Sequence, residues 1–315
     1  MIGLSDLEAA KHRIAGHLAT TPIIEAPALG EMIDVRLFFK AEGFQKTGSF
    51  KPRGSLNKLY HLTEEERARG VITVSAGNHA QGLAYASQVF GIPATVVMTQ
   101  SASQLKIAAT KGYGADVIVS EDPFQQCREL QKERNLTFVH PFDDLHLIAG
   151  HGTLGLEILD ERPSVDVVFV PIGGGALISG VAAAIKLKKP SVKVIGVERL
   201  GAPGMWLSLH KKAVVHLEKV DTIAAGLSPP FVGEIPLALV QEYVDQVVLV
   251  SDDEIVEALL LILEKSKLLT EPSGAAGFAG LLYNKVDIPR GAEVVCVLSG
   301  SNIDRHELKQ LIERS

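Results

Sequence analysis

The chain has 315 residues, 46% hydrophobic and 22% charged, which excludes a disordered or collagen-like polymer and suffices for two domains or one large α/β body with an inserted lobe. Its 31 basic and 37 acidic residues give a formal net charge of -6, so nothing in the charge balance favours nucleic acid or an anionic membrane, and a small-molecule partner is expected. Cys127 and Cys296 stand far apart with no neighbouring ligand pattern, as structural thiols of a reducing compartment do.

Ser5 and Glu8 have capping-box spacing, and Leu7, Ile14 and Leu18 mark one apolar face, predicting an amphipathic helix over 5–19 that Thr21-Pro22 ends. Acidic Asp6 and Glu8 stand where a signal peptide needs a basic end, and no apolar run reaches membrane-spanning length, so a cytoplasmic chain without membrane association is expected. Further on, short apolar runs alternate with helical stretches: 71–74 then 80–90, 94–98 then 105–111, 117–119 then 124–134. A second series has strands at 165–170, 192–197, 247–250 and 294–298, with helices at 178–188 and 253–269, the latter capped by Ser251 and Glu254. Such alternation predicts parallel strands covered by helices, in two α/β lobes with the site in the cleft between them.

Four segments rich in Gly, Ser and Asn fall at strand ends or strand-to-helix turns, the edge at which open parallel sheets bind ligands. In Lys46-Thr-Gly-Ser-Phe-Lys-Pro-Arg-Gly54, the neighbours Ser49, Phe50 and Gly54 allow Lys51 to sit in an apolar niche. Burial there lowers its pKa toward the neutral amine that condenses with an aldehyde; in an ordinary turn the same lysine is solvated. Ser75-Ala-Gly-Asn-His-Ala-Gln-Gly82 opens a helix after a strand, and its free N–H groups either suit a carboxylate or belong to a plain capped helix start. Pro171-Ile-Gly-Gly-Gly-Ala-Leu177 sets three glycines between strand and helix, a nest of N–H donors for a phosphate. It lacks the ending of a nucleotide P-loop and the spacing of a dinucleotide fingerprint, so a phosphate but not a nucleotide is indicated. In Leu298-Ser-Gly-Ser-Asn302, Ser299 either offers its hydroxyl to a ring nitrogen or makes a turn. Together these four features are what an aldehyde-phosphate cofactor and an amino-acid substrate require.

The order and spacing of the motifs, with Thr21-Pro22, Ile148-Ala-Gly150 and Glu271-Pro272, resemble the fold type II family of pyridoxal-phosphate enzymes, in the branch of threonine and serine dehydratases and serine racemases. The resemblance runs through nearly the whole chain. It implies a tryptophan synthase β-like α/β fold of two open parallel-sheet lobes with pyridoxal 5′-phosphate in the cleft. Residues 1–65 and 144–315 would form a large cofactor-binding domain and 66–143 a small substrate-carboxylate domain. Carried over by position, the resemblance implies that Lys51 holds the cofactor as a Schiff base, Phe50 packs by its ring and Asn78 meets its 3-hydroxyl. Gly173, Gly174, Gly175 and Ala176 would hold its phosphate and Ser299 would face its pyridine nitrogen, while Ser75, Ala76, Asn78 and His79 bind the substrate carboxylate. The implied reaction is β-elimination from L-threonine or L-serine, giving a 2-oxo acid and ammonia, with Lys51 removing the α-proton. A homodimer or homotetramer is implied as well.

Departures from the family pattern refine these expectations. Serine racemases carry a serine as second base where this chain has Ala76, and His140-Pro-Phe-Asp-Asp144 is dehydratase-like, so dehydration is expected over racemisation. Ala176 replaces a fourth glycine of the phosphate loop, Ser301 a glycine, Ala225 a common aspartate and His151 a common glutamine. Some relatives bind a divalent cation through a glutamate, a backbone carbonyl and an aspartate; Glu198 matches the glutamate, but Gly204 stands near the aspartate position, so no metal is expected. The chain ends soon after Ser299, which implies no regulatory domain and no feedback by isoleucine. Competing activities are serine racemisation, β-replacement, dehydration of 3-hydroxyaspartate, and non-catalytic amino-acid sensing.

Overall fold

Runs of valine, isoleucine and phenylalanine form the strands, which in chain order are Ile23–Glu25 (β1), Arg36–Ala41 (β2), Val71–Val74 (β3), Ala94–Thr99 (β4), Asp116–Ser120 (β5), Thr137–Phe138 (β6), Val167–Pro171 (β7), Lys193–Arg199 (β8), Gln246–Val250 (β9) and Glu293–Leu298 (β10). In a computed structural model, which describes residues 2–314, they make two open sheets, ordered β1-β2-β10-β7-β8-β9 and β5-β4-β3-β6. Every adjacent pair is parallel except β1 with β2, an antiparallel edge not foreseen from the sequence pattern. Central strands are buried on both faces, which is why they read as unbroken apolar runs. In β2 the pleat sends Phe39 to one face, edge-on to Phe278 at 5.4 Å, and Phe38 to the cluster of Val168 and Val295 on the other.

Two predicted helices are shorter than expected. The first runs Leu4–Ile14, because Gly16 turns the chain at φ +82, and its opening N–H belongs to Gly3, donated to Asp6 Oδ2 at 2.9 Å, rather than to a Ser5–Glu8 box. The predicted 253–269 helix keeps its cap, Ser251 N–H to Glu254 Oε2 at 2.7 Å and Glu254 N–H to Ser251 Oγ at 3.1 Å. It is α-helical only over Asp252–Leu261, loosens into a π turn at Ile262–Ser266, and stops at left-handed Lys267. No helix of the described residues is long and apolar enough to cross a membrane.

Helix Lys51–Tyr60 joins the two bodies, packing on both Asn78–Phe90 and Leu145–Glu161. Its Leu56 and Leu59 complete the core beneath the smaller sheet, beside Val71 and Val96. The crossing with Leu145–Glu161 is so close that a Cβ on Gly150 would lie 2.3 Å from the Arg53 carbonyl. Buried charges fasten it: Arg53 donates to both oxygens of Glu42 (2.7 and 2.9 Å) and of Glu157 (2.6 and 2.8 Å), and Lys40 adds Glu157 (2.8 Å) and Glu161 (3.0 Å). Bidentate pairing of this kind compensates the loss of water around each ion.

Candidate active site

Lys51 opens its helix, followed by Pro52, whose missing N–H has no intrahelical partner to lose in a first turn. The Phe50 N–H donates to the Ser299 carbonyl (3.1 Å), and Ser49 bridges Gly300, so the turn after β10 fixes where the lysine enters. From the other side helix Asn78–Phe90 comes so near that a Cβ on Gly82 would sit 2.8 Å from Lys51 Cβ. Nζ donates to the Pro141 carbonyl (3.1 Å) and lies 5.1 Å from the Phe50 ring centre. Burial brings the Lys51 ammonium down to about 8, against the opposing pull of the Glu271 carboxylate.

Asn78 is oriented from both ends. Its Oδ1 accepts from Asn302 Nδ2 (2.7 Å), which also donates to the Thr47 carbonyl (2.7 Å), and its Nδ2 donates to Glu271 Oε1 (2.6 Å). Burial pushes Glu271 up to about 7, with Asn78 and Lys106 pulling the other way. From the sequence, Glu271 stands out only within the Glu271-Pro272 motif and Asn302 only as the end of the Ser299 segment, neither with a role of its own. A further signal for Glu271 is an acid wedged between the apolar Leu268-Leu269 and the helix-opening Pro272.

The phosphate-type loop joins β7 to helix Ala176–Lys188, and each of its glycines is required by what faces it. A Cβ on Gly173 would lie 2.8 Å from the Gly226 carbonyl, and one on Gly174 would collide with the Phe142 ring, 2.2 Å from Cγ. Gly175, at φ +97, faces Pro236 and Met205. Ala176 is already the first helical residue, where a methyl group is ordinary. Phe142 follows the Pro141 that receives Lys51, so loop and lysine meet around one dipeptide. The neighbouring His140 accepts at Nδ1 from the N–H groups of Phe142 (3.3 Å) and Asp143 (2.8 Å), and Asp143 crosses to the N–H groups of Glu234 (3.2 Å) and Ile235 (3.0 Å).

At the carboxylate-type segment, Ser75 Oγ accepts from the Gly77 N–H (3.2 Å), Gly77 precedes the helix, and nothing lies within 4 Å of where its Cβ would be. Ala76 is half-buried against the smaller core. The His79 ring is turned inward, 3% exposed, with the Val139 carbonyl near it but outside hydrogen-bond geometry. Burial and the Lys51 charge hold both His79 and His151 well below the usual imidazole range. His151 lies edge-on to Phe50 at 4.7 Å.

Buried polar atoms without a partner concentrate in this region: Thr47 Oγ1, Ser49 Oγ, Ser55 Oγ and both ring nitrogens of His79 and His151. Protein interiors rarely leave such groups unpaired, so their clustering about Lys51 fits a place built for a polar ligand. Glu198, which matches a cation ligand of some relatives, is engaged within the protein here. Both Glu198 oxygens accept backbone N–H groups, from Met205 (2.8 Å) and Trp206 (2.9 Å), and no group of three or more His, Cys, Asp or Glu among the described residues is arranged to hold a metal.

An amine that burial makes half neutral near pH 8 is suited to condense with an aldehyde, and a glycine nest beside it selects an aldehyde that carries phosphate; such a fold and site define an enzyme that works through pyridoxal 5′-phosphate. Comparison with known proteins agrees. The chain belongs to the pyridoxal-phosphate dependent enzyme family, which it matches over residues 14–300. It is 44% identical to an L-threonine ammonia-lyase of Thermotoga maritima over 318 residues, covering 100% of this chain and 79% of that one. Among solved structures it resembles maize serine racemase (TM-score 0.93, 35% identity, 99% and 97% of the two chains) and the processed form of threonine deaminase isoform 2 from Solanum lycopersicum (TM-score 0.93, 37% identity, 98% and 91%).

Proposed function

We propose that the chain is an ammonia-lyase that converts L-threonine, and L-serine more slowly, to a 2-oxo acid and ammonia. The observation that carries this reading is the Lys51 amine, desolvated to a pKa of about 8 and held 3.1 Å from the Pro141 carbonyl beside the glycine loop. Pyridoxal phosphate, when bound, supplies the electron sink that acidifies the substrate α-carbon. Lys51 would hold that cofactor and, once displaced by the substrate amine, remove the α-proton; in the empty site its pKa near 8 leaves roughly a tenth of it neutral at pH 7, ready to condense with the aldehyde. Phe50 would pack by the ring, the Asn302–Asn78–Glu271 chain would present Asn78 to the 3-hydroxyl, and Gly173, Gly174, Gly175 and Ala176 would hold the phosphate. Ser299 offers the ring nitrogen a hydroxyl rather than an acid. The N–H groups of Ala76, Asn78 and His79 would take the substrate carboxylate at the helix start, with the Ser75 hydroxyl beside them, the Ser75 N–H being donated to the Val97 carbonyl (3.1 Å). Phe142, buried against Gly174, limits the volume beyond the β-carbon.

Ala76 has no group that can carry a proton, so Lys51 is the sole base and elimination prevails over racemisation. Residues 1–65 with 144–315 act as the cofactor domain and 66–143 as the carboxylate domain, in a cytoplasmic homodimer or homotetramer; Cys127 and Cys296, both free and buried, accord with a reducing compartment. Visible absorbance before and after borohydride tests the lysine's role: wild type should lose its band on reduction, and Lys51→Ala should have none to lose. A Lys51→Ala protein with the wild-type band would overturn the assignment. The racemase reading draws on the likeness to maize serine racemase, and chiral analysis of serine after incubation decides between the two.

A further inference from the structure

The C-terminal end of β8 delivers two adjacent ionisable residues, Glu198 and Arg199, both buried at 1% and 0% exposure. Neighbouring side chains on a strand point to opposite faces, so the two reach different elements. Glu198 accepts the N–H groups of Met205 (2.8 Å) and Trp206 (2.9 Å) in helix Gly204–Lys211, and Met205 turns its methyl group to Gly175, where a Cβ would lie 2.8 Å away. Arg199 Nη1 donates to the Asp221 carbonyl (3.1 Å) and to Asp252 Oδ1 (3.2 Å), and Asp252 in turn accepts from Thr222 Oγ1 (3.2 Å) and the Ile223 N–H (3.1 Å). The strap held this way runs on to Gly226, whose N–H donates to Ser273 Oγ (2.9 Å) and whose carbonyl would lie 2.8 Å from a Cβ on Gly173. Both flanks of the glycine loop therefore trace back to one strand end.

The geometry points to Glu198 and Arg199 as positioning residues that set the shape of the phosphate cradle, Glu198 through Met205 on Gly175 and Arg199 through the strap on Gly173. The inference rests on the reading of that loop as the phosphate holder. A nest binds an anion only while its N–H groups converge, and glycines have no side chains of their own to hold them so; packing from outside must. In this chain Glu198 is a helix cap that shapes the cofactor site, each of its carboxylate oxygens accepting one backbone N–H.

Equilibrium titration of the metal-free apo-protein with pyridoxal 5′-phosphate, and separately with pyridoxal, tests this through the visible absorbance of the lysine adduct. Glu198→Ala should weaken pyridoxal phosphate at least about tenfold while changing pyridoxal, which has no phosphate to place, by less than about twofold. Glu198→Gln, which keeps one acceptor, should fall between, and Arg199→Lys should move in the same direction, so the inference stays testable if the alanine variant does not fold. Equal weakening of both aldehydes, or unchanged pyridoxal phosphate affinity in variants with a wild-type circular dichroism spectrum, would overturn it. Wild-type affinity that depends on added Mg²⁺ would do so too. A wild type that binds the two aldehydes equally would remove the phosphate-cradle reading itself, a result distinct from failure of the braces.

Discussion

Lys51 shows how far one side chain can be argued from its surroundings. Its folded pKa, about 8, lies below the ordinary 10.5, so between those values the unfolded chain binds more protons and the apo-protein gains stability as pH rises. Below pH 8 the buried ammonium costs up to roughly 3 kcal/mol. Apo Lys51→Met should therefore melt above apo wild type at pH 7, with the difference closing as pH rises from about 8 to 10.5; a difference that does not change with pH would argue for packing instead. The same value predicts that the rate at which apo wild type takes up pyridoxal phosphate climbs through about pH 8 and then levels, in stopped-flow absorbance. Gly174 allows a second substitution test, because a methyl group there collides with the Phe142 ring. Gly174→Ala should lose most cofactor affinity while Ala176→Gly keeps it, measured by retention of absorbance on dialysis. Lys51 and the three glycines were legible as motifs, since each lies in a short contiguous run. The roles of Glu271 and Asn302 were not, although both residues lie in motifs, because what matters about them is a chain of hydrogen bonds joining positions 78, 271 and 302, which no local pattern encodes.

Among the elements, helix Lys51–Tyr60 has the most demanding placement, because it carries the lysine and contacts both bodies. Arg53, in the first turn of that helix, is 1% exposed and is paired with two carboxylates that would be stranded without it. Arg53→Met should destabilise the fold by about 3–5 kcal/mol in urea unfolding, and a loss near zero would mean that the network adds little beyond volume. The helix ends that were misjudged from sequence have physical reasons. Gly3 with Asp6 and Ser5 with Glu8 present the same three-residue spacing to an acid, and only the chain's path selects the first. Apolar periodicity carried the first helix on to Leu18 although Gly16 had already left helical geometry, and it passed through the π turn at Ile262–Ser266 without a break.

At the scale of the molecule, the alternation of apolar runs and amphipathic stretches gave the two parallel sheets directly, because strands covered on both faces cannot hide their composition. β1, β2 and β6 escaped notice: β1 and β6 are edges of three and two residues, and the apolar Leu37, Phe38 and Phe39 of β2 are framed by charges at Arg36 and Lys40. The site was legible as four separate motifs, but not the Pro141-Phe142 dipeptide that brings two of them together, nor the strand end that braces the third. Phe142 from one segment meets Phe231 from another at 5.7 Å, a contact that only the assembled fold makes. The most direct test of the account is product stoichiometry: holoenzyme incubated with L-threonine, with 2-oxobutanoate and ammonia both quantified. The account predicts equimolar release of the two, abolished in Lys51→Ala. Saturable binding of L-threonine by wild-type holoenzyme without release of either product would contradict it.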